Sequence, residues 1–225
     1  MKNGKFTLSA TDFNAIDLLD SNYLNSKGAK QYVGTNYASS VEYYRLAAAM
    51  GNLHAISNLG YCYLYGRDIE ANLSLAIAYF KIAARREDVD AAYKLGDIYG
   101  SDKWGVKDKE LSVYYYRMAA SFVIDEEWEN SRIITWNHEL EKYPSLCYAM
   151  ARELSVGGAM NTDLDSAYQF LQKAEIGYKR ELMNGSAMYE KSYAGVVELL
   201  ADSQFDDIRA KYENDDEDDD DYDDE

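Results

Sequence analysis

The sequence predicts an all-α fold, an α/α superhelical solenoid of about four to five two-helix repeats. The stretch "YYRLAAAMG" from Tyr43 is followed by the similar "YFKIAARRE" from Tyr79 and "YYRMAASFV" from Tyr115, in two steps of 36 residues. The 225 residues include a single proline, and no stretch alternates as a half-buried strand would. A unit of two helices cannot bury its apolar face alone, so successive units are expected to stack.

Several residue types keep the same spacing of 36. The alanine pair at 47–48 recurs at 83–84 and 119–120, and the leucine–glycine pair at 59–60 recurs at 95–96. Chance seldom keeps one period across different residue types. Equivalent positions are therefore expected to occupy equivalent packing sites.

Each unit begins with one helix and turns into a second. The first is predicted in "HAISNLGYCYLYG", which ends before Gly66, a residue suited to a left-handed helix cap. Asn72 or one of its neighbours is predicted to cap the second helix, "LSLAIAYFKIAA". Gly60 lies inside the first helix, where glycine costs about 1 kcal/mol relative to alanine. Its recurrence at Gly96 indicates that a neighbouring helix backbone approaches closely.

The repeat also divides the chain. A fourth copy lies 55 residues after the third rather than 36, which indicates an insertion, and Pro144 is expected near the start of the following helix. The predicted segments are a degenerate repeat or cap at 1–35, helical repeats with an insertion near 121–143 at 36–184, capping helices at 185–213 and an acidic disordered tail at 214–225.

The repeated residues resemble those of Sel-one-like repeat proteins. That family has units of about 36 residues, with a leucine–glycine pair and a tyrosine in the first helix and a Y-x-x-A-A ending in the second. Leu59, Gly60 and Tyr63 match the first feature, and Phe80 with its following alanine pair matches the second. The resemblance implies a right-handed superhelix related to tetratricopeptide arrays. It also implies a role in holding or presenting other proteins.

Charge and targeting signals limit the function classes. The net charge is -17, and the last 11 residues hold 10 acidic side chains, which leaves 30 acidic against 23 basic residues before them. No basic cluster favours nucleic acid, and no apolar run approaches a membrane span. The amino terminus lacks the apolar core of a signal peptide. With two well-separated cysteines, a cytoplasmic location is expected.

No catalytic or cofactor motif stands out. His54 and His138 lack zinc-type spacing, and no phosphate-binding glycine motif or nucleophile elbow is present. The sequence therefore predicts a protein that is not an enzyme and that has no cofactor and no metal.

The candidate protein-binding residues lie on the first helix of two successive units. In tetratricopeptide-like stacks this helix lines the concave face. The candidates share an i, i+3, i+7 spacing and differ between copies while their neighbours repeat: Asn58, Tyr61 and Tyr65 in one copy, and Lys94, Asp97 and Ser101 in the next. Exposed tyrosines are suited to binding hot spots because they join a large ring to a polar tip.

The predicted function is a non-enzymatic scaffold or adaptor that binds a protein or peptide on its concave surface. The alternative is an acid-tailed inhibitor or chaperone that masks a basic partner protein through the acidic tail. A solubilising role for the tail also stays open.

Overall fold

The computed structural model describes residues 6–124, 134, 137–157 and 160–218, with side chains as far as Tyr212. These residues include no β-strand, which confirms the all-α prediction. The α-helices within these ranges are α1 (Ala10–Asp17), α2 (Ser21–Val33), α3 (Tyr37–Ala49), α4 (Leu53–Tyr65), α5 (Leu73–Ala84), α6 (Val89–Gly100), α7 (Lys109–Ser121), α8 (Pro144–Val156), α9 (Leu164–Met183), α10 (Glu190–Leu200) and α11 (Asp206–Asp218).

Side-chain caps precede the four helices that the repeat predicts as second helices. Asn36, Asn72, Asp108 and Asp163 precede α3, α5, α7 and α9, and each accepts a hydrogen bond from the backbone N–H three residues later. Such a cap satisfies one of the donors that a helix start leaves open. Gly66 ends α4 in the left-handed region with φ 64°, which confirms its predicted role.

The chain forms two compact units, residues 1–107 and 108–225. In the first unit α2 pairs with α3 and α4 pairs with α5 as helical hairpins, while α3 also packs on α4 and α5 on α6. The tandem hairpins that the sequence predicts are thus present, and each contacts the next.

A glycine in the first helix of a hairpin receives an aromatic ring from the second. A Cβ at Gly60 would lie 2.8 Å from the ring of Phe80, and a Cβ at Gly28 would lie 2.7 Å from the ring of Tyr44. Phe80 is fully buried. The expected close approach of a helix backbone at Gly60 is therefore wrong, because a ring fills the space that the missing side chain leaves.

Equivalent positions of the repeat share the same burial. Leu59 and Leu95 are at most 1% exposed, and Ala47, Ala83 and Ala119 are fully buried. Fixed burial at a spacing of 36 residues is what repeated packing sites require. The small alanines let neighbouring helices approach, and the rings fill the wider spaces.

A buried ion pair joins α1 to the first hairpin. The Asp12 carboxylate accepts hydrogen bonds from Lys27 Nζ at 2.5 Å and the Tyr43 hydroxyl at 3.0 Å, and from the backbone N–H of Ser9 at 2.7 Å. Burial alone would raise the pKa of Asp12, but the bonds from Lys27, Ser9 and Tyr43 hold that pKa well below its usual range. The carboxylate is therefore charged and fully satisfied at neutral pH.

The second unit is built around the α8–α9 hairpin. Pro144 is the first residue of α8, as the sequence predicts. Helix α7 packs on α8, and α10 and α11 pack on α9. A 3₁₀ turn, His138–Lys142, packs on both helices of the hairpin, and its Glu141 pairs with Lys173 of α9 at 3.1 Å.

Residues 125–133 and 135–136 of the predicted insertion and residues 219–225 of the acidic tail lie outside the described residues. Helix α7 ends at Ser121, and α11 extends into the acidic segment as far as Asp218. The predicted boundaries of cap, repeats, insertion and tail stay predictions. None of the described helices has an apolar stretch long enough to cross a membrane.

The substitution Ala84→Leu is expected to lower the free energy of unfolding by about 1–3 kcal/mol, because Ala84 is 2% exposed between helices and has no room for a larger side chain. Urea unfolding measures the change. Ala78→Leu, on the exposed side of the same helix, is the matched control and should change stability by less than about 0.5 kcal/mol. Equal stability of the two variants would contradict this packing.

The Asp12 ion pair predicts a pH-dependent stability. Because the pKa of Asp12 is lower in the folded chain than the usual 3.8, its stabilisation is complete above about pH 5 and declines as the pH falls below 4. Asp12→Asn should therefore be several kcal/mol less stable than the parent at pH 7, by about 3–5 for a broken buried pair. This difference should narrow toward pH 3. Exposed Asp17→Asn is the control, and a difference independent of pH would refute the assignment.

Candidate functional site

Five of the six candidate residues lie on α4 and α6, and Ser101 directly follows α6. Asn52 caps α4 by accepting from the N–H of Ala55 at 2.9 Å, and Asp88 caps α6 by accepting from Ala91 at 2.7 Å. One side of α4 is packed through Leu59, Cys62 and their neighbours. The candidates Asn58, Tyr61 and Tyr65 are among its other positions, and of these Tyr65 is the exposed one.

Tyr61 contacts other candidate residues on both α4 and α6. Its ring stands edge-on to Phe80 at 5.0 Å between centroids and stacks with Tyr65 at 6.4 Å. Lys94 Nζ of α6 lies 5.7 Å from the Tyr61 centroid, so the structure joins candidates from two successive repeats. Burial, with the nearby Asp90 and Asp97 carboxylates, raises the pKa of the Tyr61 hydroxyl well above 10. This hydroxyl stays protonated and able to donate at physiological pH.

Lys94 and Asp97 form an ion pair on α6. Lys94 Nζ lies 2.8 Å from Asp97 Oδ2, and it also lies 4.8 Å from the centroid of the Tyr93 ring. The Lys94 side chain is 14% exposed, so its charge is shielded from solvent. This pair holds Lys94 beside the Tyr61 ring.

Asn58 contacts the preceding repeat. Its Nδ2 donates to Asn25 Oδ1 of α2 at 3.1 Å, and Asn52 at the start of α4 donates to Asn22 Oδ1 at 2.9 Å. A carboxamide has two N–H donors and one carbonyl acceptor, so this bond leaves Asn58 further capacity for a ligand.

Ser101 is separate from the other five candidates. It follows the last residue of α6 and caps the 3₁₀ turn Asp102–Trp104 by accepting from the N–H of Lys103 at 3.2 Å. Its cap fixes the turn that carries Trp104.

Sequence reasoning missed a row of rings and cations beside Tyr65. The Tyr65 ring lies 6.3 Å from Trp104, Arg67 lies over Tyr37 and Tyr65 at 5.0 and 5.9 Å, and Lys103 lies over Trp104 at 4.4 Å. We call this row, with Tyr32, the aromatic edge: Tyr32, Tyr37, Tyr65, Arg67, Lys103 and Trp104. A signal was available, because Arg67 and Lys103 are 36 residues apart.

One surface depression offers a ligand fewer unpaired groups than the candidate residues do. It has a volume of about 250 Å³ in the second unit and is lined by residues of α9, α10 and α11. Its charged groups have partners within the unit, since Arg209 donates to the Leu200 carbonyl at 2.8 Å and pairs with Asp206, and Glu175 pairs with Lys179 at 2.8 Å.

The thiols are not poised for reaction. Cys62 and Cys147 are free and buried. Burial raises the pKa of Cys62 to about 11 and also raises that of Cys147, so both are protonated at neutral pH. In the part of the chain that the structure describes, no group of three or more histidine, cysteine, aspartate or glutamate side chains is arranged to hold a metal ion.

The repeats match a known family model. The Sel1 repeat model matches residues 21–52, 53–88, 89–121 and 144–175, more than half of the chain. The chain belongs to the Sel1 repeat family. Sel1 repeat proteins generally mediate protein–protein interaction, and the family is a non-catalytic scaffold type. In the first unit the matched segments begin with the first residues of α2, α4 and α6, so the repeats that begin at residues 53 and 89 start with the two helices that carry candidate residues.

Two solved structures are similar to this Sel1 repeat chain. One is a protective antigen with an SLR fold from uropathogenic Escherichia coli, at 19% identity and a TM-score of 0.43, with 72% of this chain and 42% of the antigen covered. The chain thus spans less than half of that protein. The other is a Sel1 repeat protein from Oxalobacter formigenes, at 16% identity and a TM-score of 0.45, with 86% and 90% covered. No curated relative matches the sequence.

Proposed function

We propose that this chain is a scaffold that binds a protein or peptide at the surface formed by α4 and α6, with Tyr65 as a principal contact. Family membership supports the general role, because Sel1 repeat proteins generally mediate protein–protein interaction. The assignment to this surface rests on one observation. The Tyr65 ring is 42% exposed although rings or cations lie close to it on several sides.

The surroundings of Tyr65 favour binding over a packing role. Tyr61 and Trp104 restrict its rotation, so a partner would lose little side-chain entropy by contacting it. Its ring offers apolar area and its hydroxyl a hydrogen bond, the combination found in interface hot spots. Tyr61 and the Lys94–Asp97 pair act as positioning residues for this ring, and Asn58 offers a polar contact beside it.

The predicted role of Ser101 is narrower than that of the other candidates. We assign it to positioning, because its cap holds the turn with Trp104 and Trp104 contacts Tyr65. The alternative function, masking of a basic partner by the acidic tail, has no supporting contact among the described residues and stays a prediction.

Photo-crosslinking tests the proposal. A benzophenone amino acid replaces Tyr65 in the full chain expressed in its native cells, and the matched control places it at Ile82 of α5, which is 47% exposed in the same unit. We expect discrete protein adducts at position 65, at least fivefold more abundant than at position 82. Equal adduct yields at the two positions, or none at position 65, would contradict the proposed surface.

A further inference from the structure

The aromatic edge lies where the first helices of three successive repeats end. Tyr32 is in the last turn of α2, Tyr65 ends α4, and Trp104 follows α6 in its 3₁₀ turn. Tyr37 opens α3 and contacts Tyr32 at 5.1 Å. Rings and cations alternate along this row, since Arg67 lies over Tyr37 and Tyr65, and Lys103 lies over Tyr65 and Trp104.

The two cations of the edge have no carboxylate partner among the described residues. Elsewhere in the first unit, Lys27, Lys94 and Lys107 each pair with an aspartate at 2.5–2.8 Å. The whole chain has 40 acidic residues against 23 basic ones, so carboxylates are in excess. Arg67 and Lys103 contact rings instead, which leaves their charge available to an anion from outside the chain.

Arg67 is also incompletely satisfied. Its guanidinium donates a side-chain hydrogen bond to Tyr32, whereas its Nε atom is buried and has no hydrogen-bond partner. A buried donor without a partner is unfavourable, so the packing of this guanidinium among three tyrosines leaves hydrogen-bonding capacity unused.

We propose that the aromatic edge binds an acidic peptide segment of a partner protein, with its carboxylates on Arg67 and Lys103 and its apolar groups on the rings of Tyr37, Tyr65 and Trp104. This inference rests on the proposed function and specifies the chemistry of the partner. A guanidinium that lies over a ring keeps its in-plane N–H groups free, and these fit a carboxylate as a paired donor.

The extent of the row favours a peptide over a single anion. Each step from ring to ring or from cation to ring centroid is 4.4–6.3 Å, and the row crosses three repeats. A phosphate or one carboxylate would contact a single cation, whereas an extended peptide rises about 3.3 Å per residue and reaches both. The spacing of 36 residues between Arg67 and Lys103 places one cation in each of two successive repeats.

Fluorescence anisotropy with defined peptides tests the inference. The probe is a labelled dodecapeptide of aspartate, glutamate and glycine around one tyrosine, titrated with the full chain at low and moderate salt. Its control replaces every aspartate and glutamate with asparagine and glutamine. We expect the acidic peptide to bind at least tenfold more tightly than its amide control, with the difference reduced at moderate salt.

A pair of charge-matched variants locates the site. Arg67→Gln with Lys103→Gln should weaken binding of the acidic peptide at least tenfold. Arg45→Gln with Arg85→Gln removes the same charge from an exposed position of α3 and from the exposed residue that follows α5, and should change the affinity by less than about threefold. An equal loss of affinity in both double variants would overturn the inference, because the peptide would then be attracted by positive charge anywhere on the chain rather than at the edge.

A second readout needs no substitution at the cations. Binding of the acidic peptide to the parent chain should shift the indole N–H resonance of Trp104, assigned with Trp104→Phe, and an unshifted resonance at saturation would overturn the inference.

Crosslinks from position 65 that map to neutral or basic partner segments would overturn the acidic-peptide assignment and leave the proposed function intact. Absence of adducts at position 65 together with tight binding of the acidic peptide at the edge would contradict the proposed function and leave the acidic-peptide assignment intact. Self-association of the chain that Arg67→Gln abolishes would assign the edge to a second copy and overturn the partner assignment.

Discussion

The hairpins of the first unit depend on a ring that occupies the place of a missing side chain. Gly60 is inside α4, where glycine weakens a helix, yet Phe80 of α5 fills the space above it. The same arrangement brings Tyr44 of α3 onto Gly28 of α2. Because Phe80 of the second helix is held against α4, the rotation of α4 about its own axis is fixed. That rotation sets the exposed position of Tyr65 and the contacts of Tyr61.

The charged groups of the first unit have two kinds of surroundings. One kind stabilises the fold, and the other is suited to the proposed binding. Asp12 and Lys27 form a satisfied buried pair that fixes α1 to the first hairpin. Arg67 and Lys103 contact rings without a carboxylate partner. In an acidic protein, cations in surroundings of the second kind are suited to an anion supplied by another molecule.

The period of the sequence was sufficient to predict the fold and part of the candidate site. Gly66 and Asn72 have their predicted roles because caps depend on local backbone chemistry. The period also brought Tyr61 and Lys94 together, since both positions lie on first helices of adjacent repeats. Ser101 differs because α6 ends at Gly100, one residue short of the equivalent of Tyr65. A fixed period assumes helices of equal length, and α4 has 13 residues whereas α6 has 12.

Other features depend on three-dimensional contacts that no spacing in the sequence encodes. The residue type at position 60 indicates a close approach but not whether a backbone or a ring makes it. The contact of Trp104 with Tyr65 depends on how the chain turns after α6, which is set by the Ser101 cap and the 3₁₀ turn. The pairing of Arg67 with Tyr37 likewise joins the turn after the first helix of one repeat to the second helix of the preceding repeat.

The free energy of unfolding of Gly60→Ala tests the central claim most directly, because the two possible surroundings of Gly60 predict opposite signs. A glycine free of contacts inside a helix would be stabilised by about 1 kcal/mol on replacement with alanine. The ring of Phe80 at 2.8 Å from the new Cβ predicts destabilisation instead, and a smaller penalty when Phe80 is replaced by leucine in the same chain. An alanine at position 60 that stabilises the parent protein would contradict the account.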